Sequence, residues 1–391
     1  MPSQNILSAR NICFSYDGSS KALKNVMLDV PRGKKTVFLG PNGSGKSTLF
    51  LHFNGILKPD SGKILFDGKR LGYDQSSLVR LRENIAVVFQ NPDDQIFSAN
   101  VEEDIAFGPL NLCLPKEEVD ARVDEALSLV GLTKLRKRPT QQLSFGQRKR
   151  VALAGALAMK PKVLIMDEPT AGLDTEMVHE LLELADELNH LGITIIMSTH
   201  DVETAYEWAD EVRVISDGKI LFAGKPELLF TQSELLHKLG IIPPIAFLLN
   251  EQMNKSNGEP IKPYPKSFLE LSHKLFAHKK AKDGCFNVIC VNKLDNSLEP
   301  NVIARMLKIN LKEIHKISGV YGTLARRLLN EGKLDVHYRF HALEHGLFQA
   351  SIGEEFILFT DSSLCTLVET KIKKLERTNG MSIKIRHLHT K

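Results

Sequence analysis

The sequence predicts an α/β protein: a mostly parallel sheet covered by helices, followed by a second, smaller α/β domain. Three observations carry this. Short apolar, β-branched runs recur at "KTVFLG", "NIAVVFQ", "KVLIMDE" and "GITIIMSTH". Segments with apolar residues at three- and four-residue spacing, such as "EEVDARVDEALSLVGL" and "TEMVHELLELADELNHL", lie between them. After about Phe230 the texture changes, and strand-like and helix-like runs resume only beyond Lys266.

Strand runs that are apolar throughout suit a sheet buried on both faces. "EVRVISDGKILFAG" places Asp217 and Gly218 between two strand-like runs, the signature of a two-residue hairpin. Residues 231–282 read as a short helical extension and a linker, the latter containing the polar "NKSNGEPIKPYPKS". In the tail, "FNVICV" and "EEFILFTD" read as strands, and "GTLARRLLNEG" and "CTLVETKIKKLERTNG" as helices ending at Gly. The expected organisation is therefore 1–230, 231–282 and 283–391.

The totals narrow the class. A chain of 391 residues exceeds one ordinary core, and 42% hydrophobic with 25% charged residues is a globular composition. The N-terminus lacks a basic start followed by an apolar stretch, so no secretory signal is expected. The longest apolar run, "LGIIPPIAFLLN", is broken by Pro243 and Pro244 and is too short to span a bilayer. A cytosolic protein follows, and its five scattered cysteines (Cys13, Cys113, Cys285, Cys290 and Cys365) are expected to be reduced thiols. The net charge of +4 combines an acidic front with a basic last third. Without a dense basic run or interleaved aromatics, that tail reads as a solvated surface, and no nucleic-acid partner is expected.

"GPNGSGKST", Gly40, Pro41, Asn42, Gly43, Ser44, Gly45, Lys46, Ser47 and Thr48, stands between a strand and a helix-like run. This G-x-x-x-x-G-K-[ST] pattern is a P-loop in the context it requires. Its glycines let backbone N–H groups curl round phosphates, and the helix N-terminus adds positive partial charge. Lys46 is expected to reach the β- and γ-phosphates, and the Ser47 hydroxyl to ligate Mg2+. "KVLIMDEPT" ends a strand in Asp167 and Glu168. Asp167 suits Mg2+, and Glu168 can accept a proton from an attacking water. Gln90 and His200 each end a strand, the first able to reach metal or water and the second a γ-phosphate. Tyr16 offers a ring face on which a base can stack.

In order, Tyr16, the P-loop, Gln90, "LSFGQ", "LIMDEP", "AGLD" and His200 resemble the ATPase subunit of ABC transporters over roughly residues 5–230. The resemblance implies a P-loop NTPase domain of the ABC-ATPase type: a mixed sheet core, an antiparallel β part and a helical signature subdomain over about 91–160. It implies ATP and Mg2+ as cofactors, and a dimer with a second ATPase subunit, a copy of this chain or a different one. In that dimer Ser144, Phe145, Gly146 and Gln147 would act on the partner's ATP, and Asp174 would lie near the partner's P-loop. Phe145 departs from the usual "LSGGQ". Only Gly146 requires close backbone approach, so the Phe145 side chain is expected to point away from the phosphate.

"VFQNPDDQIFSANVEEDIAFGPLNL" and "HKLGIIPPIAFLLNE" look like the cobalt- and nickel-type ATPases of energy-coupling-factor importers. That likeness implies an integral membrane coupling subunit, which Asp93 and Asp94 could face, a substrate-capture subunit, and a peripheral position on the cytoplasmic face of the membrane. Vitamin import is the alternative within the class. A non-transport ABC ATPase would carry a long coiled-coil insertion or tandem cassettes, whereas here there is one P-loop and a short span between Gln90 and Ser144. Beyond about residue 283 no family is recognised. There His337, His341 and His345 recur at four-residue spacing. On a helix they would stack along one face, where a pair can bind a transition metal; the plainer reading is a polar helix face or loop.

Overall fold

The structure, a computed structural model, describes residues 4–18, 20–258, 260–276, 284–291, 317–379 and 383–389. Its contacts form two compact units, 1–173 with 191–244, and 174–190 with 245–391. The second unit thus takes one helix from the middle of the chain, a grouping that composition along the sequence does not reveal.

The first unit holds two sheets. One is antiparallel, in the order β2-β1-β4-β5, with β1 (Asn5–Ser15), β2 (Lys21–Pro31), β4 (Ser61–Phe66) and β5 (Lys69–Arg70). The other contains β3 (Lys35–Leu39), β6 (Ile85–Val88), β7 (Val163–Met166), β8 (Thr194–Ser198), β9 (Glu211–Ser216) and β10 (Lys219–Gly224), in the order β10-β9-β3-β8-β7-β6. All its pairings are parallel except the β9–β10 hairpin. Asp217 and Gly218 turn that hairpin with φ of 49° and 73°, the two left-handed residues that the Asp-Gly pair predicts. β6, β7 and β8 are buried along their whole length, as their unbroken apolar runs require.

Helix α1 (Lys46–Phe53) lies in the core common to both sheets. Its Leu49, Phe50 and Phe53 join Leu7 and Val26 of the antiparallel sheet and Phe38, Ile165 and Ile196 of the parallel one. Each such side chain contributes roughly 1.5–3 kcal/mol by burial, so the segment entering α1 is firmly held. Helix α2 (Gln75–Asn84) leads into β6. Helices α3 (Val101–Asn111), α4 (Lys116–Leu129) and α5 (Phe145–Ala158) pack on one another.

The second unit contains a four-stranded parallel sheet ordered β12-β13-β11-β14, from β11 (Cys285–Val291), β12 (Ser318–Tyr321), β13 (Glu355–Asp361) and β14 (Lys384–His389). Alternate residues of β13 enter two cores: Phe356 and Leu358 one, Ile357 and Phe359 the other. The helices Thr323–Asn330 and Cys365–Asn379 fall where the tail's periodicity puts them. Cys290 and Cys365 are joined as a disulfide, which corrects the expectation of reduced thiols at these two positions. They are 75 residues apart, and only the docking of a helix start on β11 brings them together, so spacing gives no sign of the pair.

The helix Thr175–His190 carries acidic residues into this unit. Glu183 pairs with Arg326, Asp186 accepts from Lys371 Nζ at 3.1 Å, and Glu187 accepts from Thr323 Oγ1 at 3.2 Å. Glu187 Oε2 is buried and has no hydrogen-bond partner among the described residues. Burial, reinforced by the neighbouring Asp361 charge, pushes the Glu187 carboxyl up to about 7. A carboxyl whose folded pKa is raised supports the fold fully below its unfolded value near 4.5 and loses that support as pH rises through about 7. Glu187→Gln is therefore expected to stabilise the chain at pH 8 relative to pH 5.5, on the order of 1–3 kcal/mol, in denaturant titrations at the two values. An identical pH dependence in variant and wild type would refute this.

Candidate active site

Residues 40–45 join β3 to α1, and Lys46, Ser47 and Thr48 form its first turn. Gly40 permits the turn: its φ is +155°, and an added Cβ would stand 2.0 Å from the Ile215 carbonyl oxygen. Gly45, at φ +108°, caps α1, where a Cβ would meet the Ala22 carbonyl oxygen at 2.9 Å. Pro41, Asn42 and Gly43 form the exposed rim, and Ser44 is buried beneath it, its N–H donating to Pro41 O at 3.2 Å. Lys46 is 5% exposed; its Nζ donates to the carbonyls of Gly40 (2.8 Å) and Pro41 (3.1 Å). Tyr16 is 64% exposed and tethered by a 3.1 Å bond between its Oη and Thr48 Oγ1, so its ring stands beside the loop.

β7 delivers the carboxylates. Asp167 donates its N–H to Val88 O at 2.9 Å, which extends the β6–β7 pairing by one residue. Glu168 turns out of the strand with φ 43°, a left-handed conformation that costs a non-glycine residue on the order of 1–3 kcal/mol and clusters at functional sites. Ser198, at the end of β8, holds both acids. Its Oγ donates to Asp167 Oδ1 at 2.5 Å and accepts the Glu168 N–H at 2.8 Å.

Three polar groups, from beyond two strand ends and from a helix start, converge at the Glu168 carboxylate. Gln90 Nε2 donates to Oε2 at 3.1 Å, His200 Nδ1 lies 3.8 Å from Oε2, and Lys46 Nζ lies 3.7 Å from Oε1. Ser47, Gln90 and Asp167 line one cavity of about 230 Å3 with Phe50 and Val87. A hydroxyl, a carboxamide and a carboxylate are hard oxygen donors, so this set fits Mg2+.

Ser144 begins α5 through a capping box. Its Oγ accepts the Gln147 N–H at 3.3 Å, and Gln147 Oε1 accepts the Ser144 N–H at 3.0 Å. Because Ser144 Oγ is the acceptor, its own proton can be offered elsewhere. Phe145 follows with its ring against Gly172, while Gly146 is buried. Asp93 is held by Arg148, whose Nε lies 2.8 Å from its Oδ1. In the second unit, Asp174 Oδ1 accepts the Met177 N–H at 2.8 Å, capping the helix that follows.

Sequence reasoning missed Ser198; its one trace was a hydroxyl closing the apolar run of the strand "TIIMS". The capping box was likewise missed, although "SFGQ" carries its S-x-x-Q pattern. The tail histidines do not stack on one helix, so the metal-binding reading of that spacing is corrected. Only His345 lies on the helix Ala342–Ser351; His341 precedes it at φ 50°. His337 is drawn away by its backbone N–H, which donates to Ser318 O at 3.1 Å beside β12. His341 Nε2 instead lies 3.0 Å from His179 Nε2, and among the described residues no group of three His, Cys, Asp or Glu gathers to hold a metal.

Residues 23–171 match the family model described as ABC transporter. The energy-coupling factor transporter ATP-binding protein EcfA of Methanocaldococcus jannaschii is 49% identical over 66% of this chain and 92% of its own length. The chain belongs to the ABC transporter ATP-binding family. EcfA2 of Methanospirillum hungatei is 35% identical over 98% of this chain and 96% of its own, so its likeness extends into the second unit. Among solved structures, cbiO1 from Clostridium perfringens, part of the ABC transporter complex cbiONQ, is 47% identical, with a TM-score of 0.54 over 61% of this chain and 95% of that one. The dimeric cassette MJ0796 bound to ADP and Pi is 28% identical, with a TM-score of 0.52 over 56% of this chain and 98% of that one. This ABC-type chain is an ATPase motor subunit of an energy-coupling-factor transporter, with ATP and Mg2+ as its cofactors. No described helix is long and apolar enough to cross a membrane.

Ser198→Ala removes the donor to a buried carboxylate and the acceptor of the Glu168 N–H. We expect a loss of about 1–3 kcal/mol in denaturant titration, seen as a lower midpoint at unchanged slope. An unaltered midpoint would show that the bridge contributes nothing.

Proposed function

We propose that this chain drives import of a transition-metal ion, cobalt or nickel, by closing on ATP as a dimer and reopening after hydrolysis. The observation that carries the catalytic assignment is the convergence of Lys46, Gln90 and His200 on the strained Glu168. In this reading Glu168 accepts the proton of the attacking water, a role typically contributing about 10²–10⁴-fold. Gln90 orients the water, Lys46 neutralises the β- and γ-phosphates, and His200 donates to the γ-phosphate. When bound through Ser47, Gln90 and Asp167, Mg2+ neutralises charge on the phosphate oxygens. Tyr16 stacks on the base.

The second half of each ATP site comes from the other subunit, a copy of this chain or a homologous one. Ser144 O–H and the N-terminus of α5 suit a phosphate. The packing of Phe145 on its own Gly172 supports Gly146, not Phe145, as the residue of close backbone approach, with Gln147 beside it. Asp174 serves near the partner's P-loop. The dimer seen for MJ0796 supports this arrangement by analogy.

Metal as substrate rests on the likeness of residues 88–112 to cobalt- and nickel-type ATPases; vitamin import by the same motor is the second reading. The same stretch leaves Phe97 65% and Phe107 46% exposed, edge to face at 4.5 Å, with Leu110 also exposed. An exposed apolar patch of this kind suits docking of the integral membrane coupling subunit, which would hold the chain peripherally at the cytoplasmic face. The substrate-capture subunit would then set specificity.

Two experiments test the assignment. Glu168→Gln is expected to retain ATP binding and lose at least about 10²-fold in turnover, accumulating a closed dimer in size-exclusion chromatography; near-wild-type turnover would exclude Glu168 as the base. In a mixed dimer with Ser144→Ala in one chain, the impaired site should be the one holding the other chain's Lys46. A defect that tracked the variant chain's own P-loop would end the shared-site picture.

A further inference from the structure

Helix α5 does more than present its N-terminus. One turn in, Lys149 is only 7% exposed, and its ammonium is directed at backbone. Nζ donates to Ala171 O at 2.6 Å, to Pro169 O at 2.9 Å and to Glu168 O at 3.4 Å. The three donors of one ammonium are thus spent on one segment, which starts at Glu168 and runs into "AGLD". Phe145 closes the arrangement. Its ring lies against Gly172, where a Cβ would come within 3.0 Å, and Lys149 Nζ stands 5.3 Å from the ring centroid, within cation–π range.

The strained Glu168 peptide is thereby held from both sides: its N–H by Ser198 and its carbonyl by Lys149. Burial lowers the Lys149 pKa to about 8, with the nearby Glu168 charge opposing the shift. A buried ammonium bonded to carbonyls is an expensive way to fill a helix face that a methionine could fill. Its aim at three carbonyls of one segment points to geometry as its task.

We infer that Lys149 is a positioning residue which, with Phe145 seated on Gly172, ties the signature helix to the segment following Glu168. The half-site offered to the partner's ATP and the carboxylate serving this chain's own ATP then move as one body. This rests on the shared-site reading above and adds the physical link between the two sites.

The test uses the full chain with Lys149→Met, which keeps the volume and removes the donors, Phe145→Ala, and the double variant. Hydrogen exchange gives a readout independent of turnover. Amides of residues 170–173 are expected to exchange at least about tenfold faster in Lys149→Met, with those late in α5 unchanged. Turnover is expected to fall about 10–100-fold with the ATP KM within about threefold, since a displaced catalytic group can cost about 10²-fold. The double variant should lose little more than the worse single one, as residues acting as a unit do. Unchanged exchange at 170–173 would overturn the inference. So would a lower melting temperature with normal turnover per folded chain, or losses that multiply in the double variant. A wild-type chain without ATPase activity would instead refute the catalytic reading, and exchange would still decide the role of Lys149.

Discussion

Burial of α1 between the two sheets of the first unit is the constraint on which its site depends. Leu49, Phe50 and Phe53 are at most 1% exposed and touch strands of both sheets. A helix held on both sides cannot tilt, so the N–H groups at its start keep one direction. Close packing at Gly40 against the Ile215 carbonyl fixes the loop that enters it. Lys46, Ser47 and Thr48 are placed by that helix, and the strand ends carrying Asp167, Gln90 and His200 reach it because β6, β7 and β8 lie side by side.

Among the residues of the site, Glu168 is the non-glycine residue held at a left-handed φ. Glu168 has an unfavourable φ, yet its peptide is bonded at both ends and its carboxylate is met by an amide, an imidazole and an ammonium. Such a conformation persists only when its surroundings over-determine it. Here Ser198 on β8 and Lys149 on α5 supply that determination, and both lie outside the recognised motifs.

The second unit follows a different economy. The central strands of its parallel sheet, β11 and β13, are buried on both faces, which explains why "FNVICV" and "EEFILFTD" were readable as strands. β12 and β14 were not, because "SGVY" is short and "KIRHLH" mixes charge with apolar residues. The helix Thr175–His190 showed only its helical period in the sequence, yet its Glu183 and Glu187 are buried against Arg326 and Thr323. No periodicity signals that, since burial of a charged face depends on what packs over it.

The sequence by itself determined the P-loop, the strand-end carboxylates, the Asp-Gly hairpin and the alternation of strands and helices. These are local: each depends on residue types at fixed spacing, on left-handed turns that glycine permits, or on a period of two or 3.6. Tertiary structure alone decided which groups surround Glu168, where Lys149 and Phe145 point, that Cys290 meets Cys365, and that the three tail histidines part company. Those outcomes rest on contacts between residues tens to more than a hundred positions apart, and a one-dimensional pattern carries no distance between them until packing supplies it.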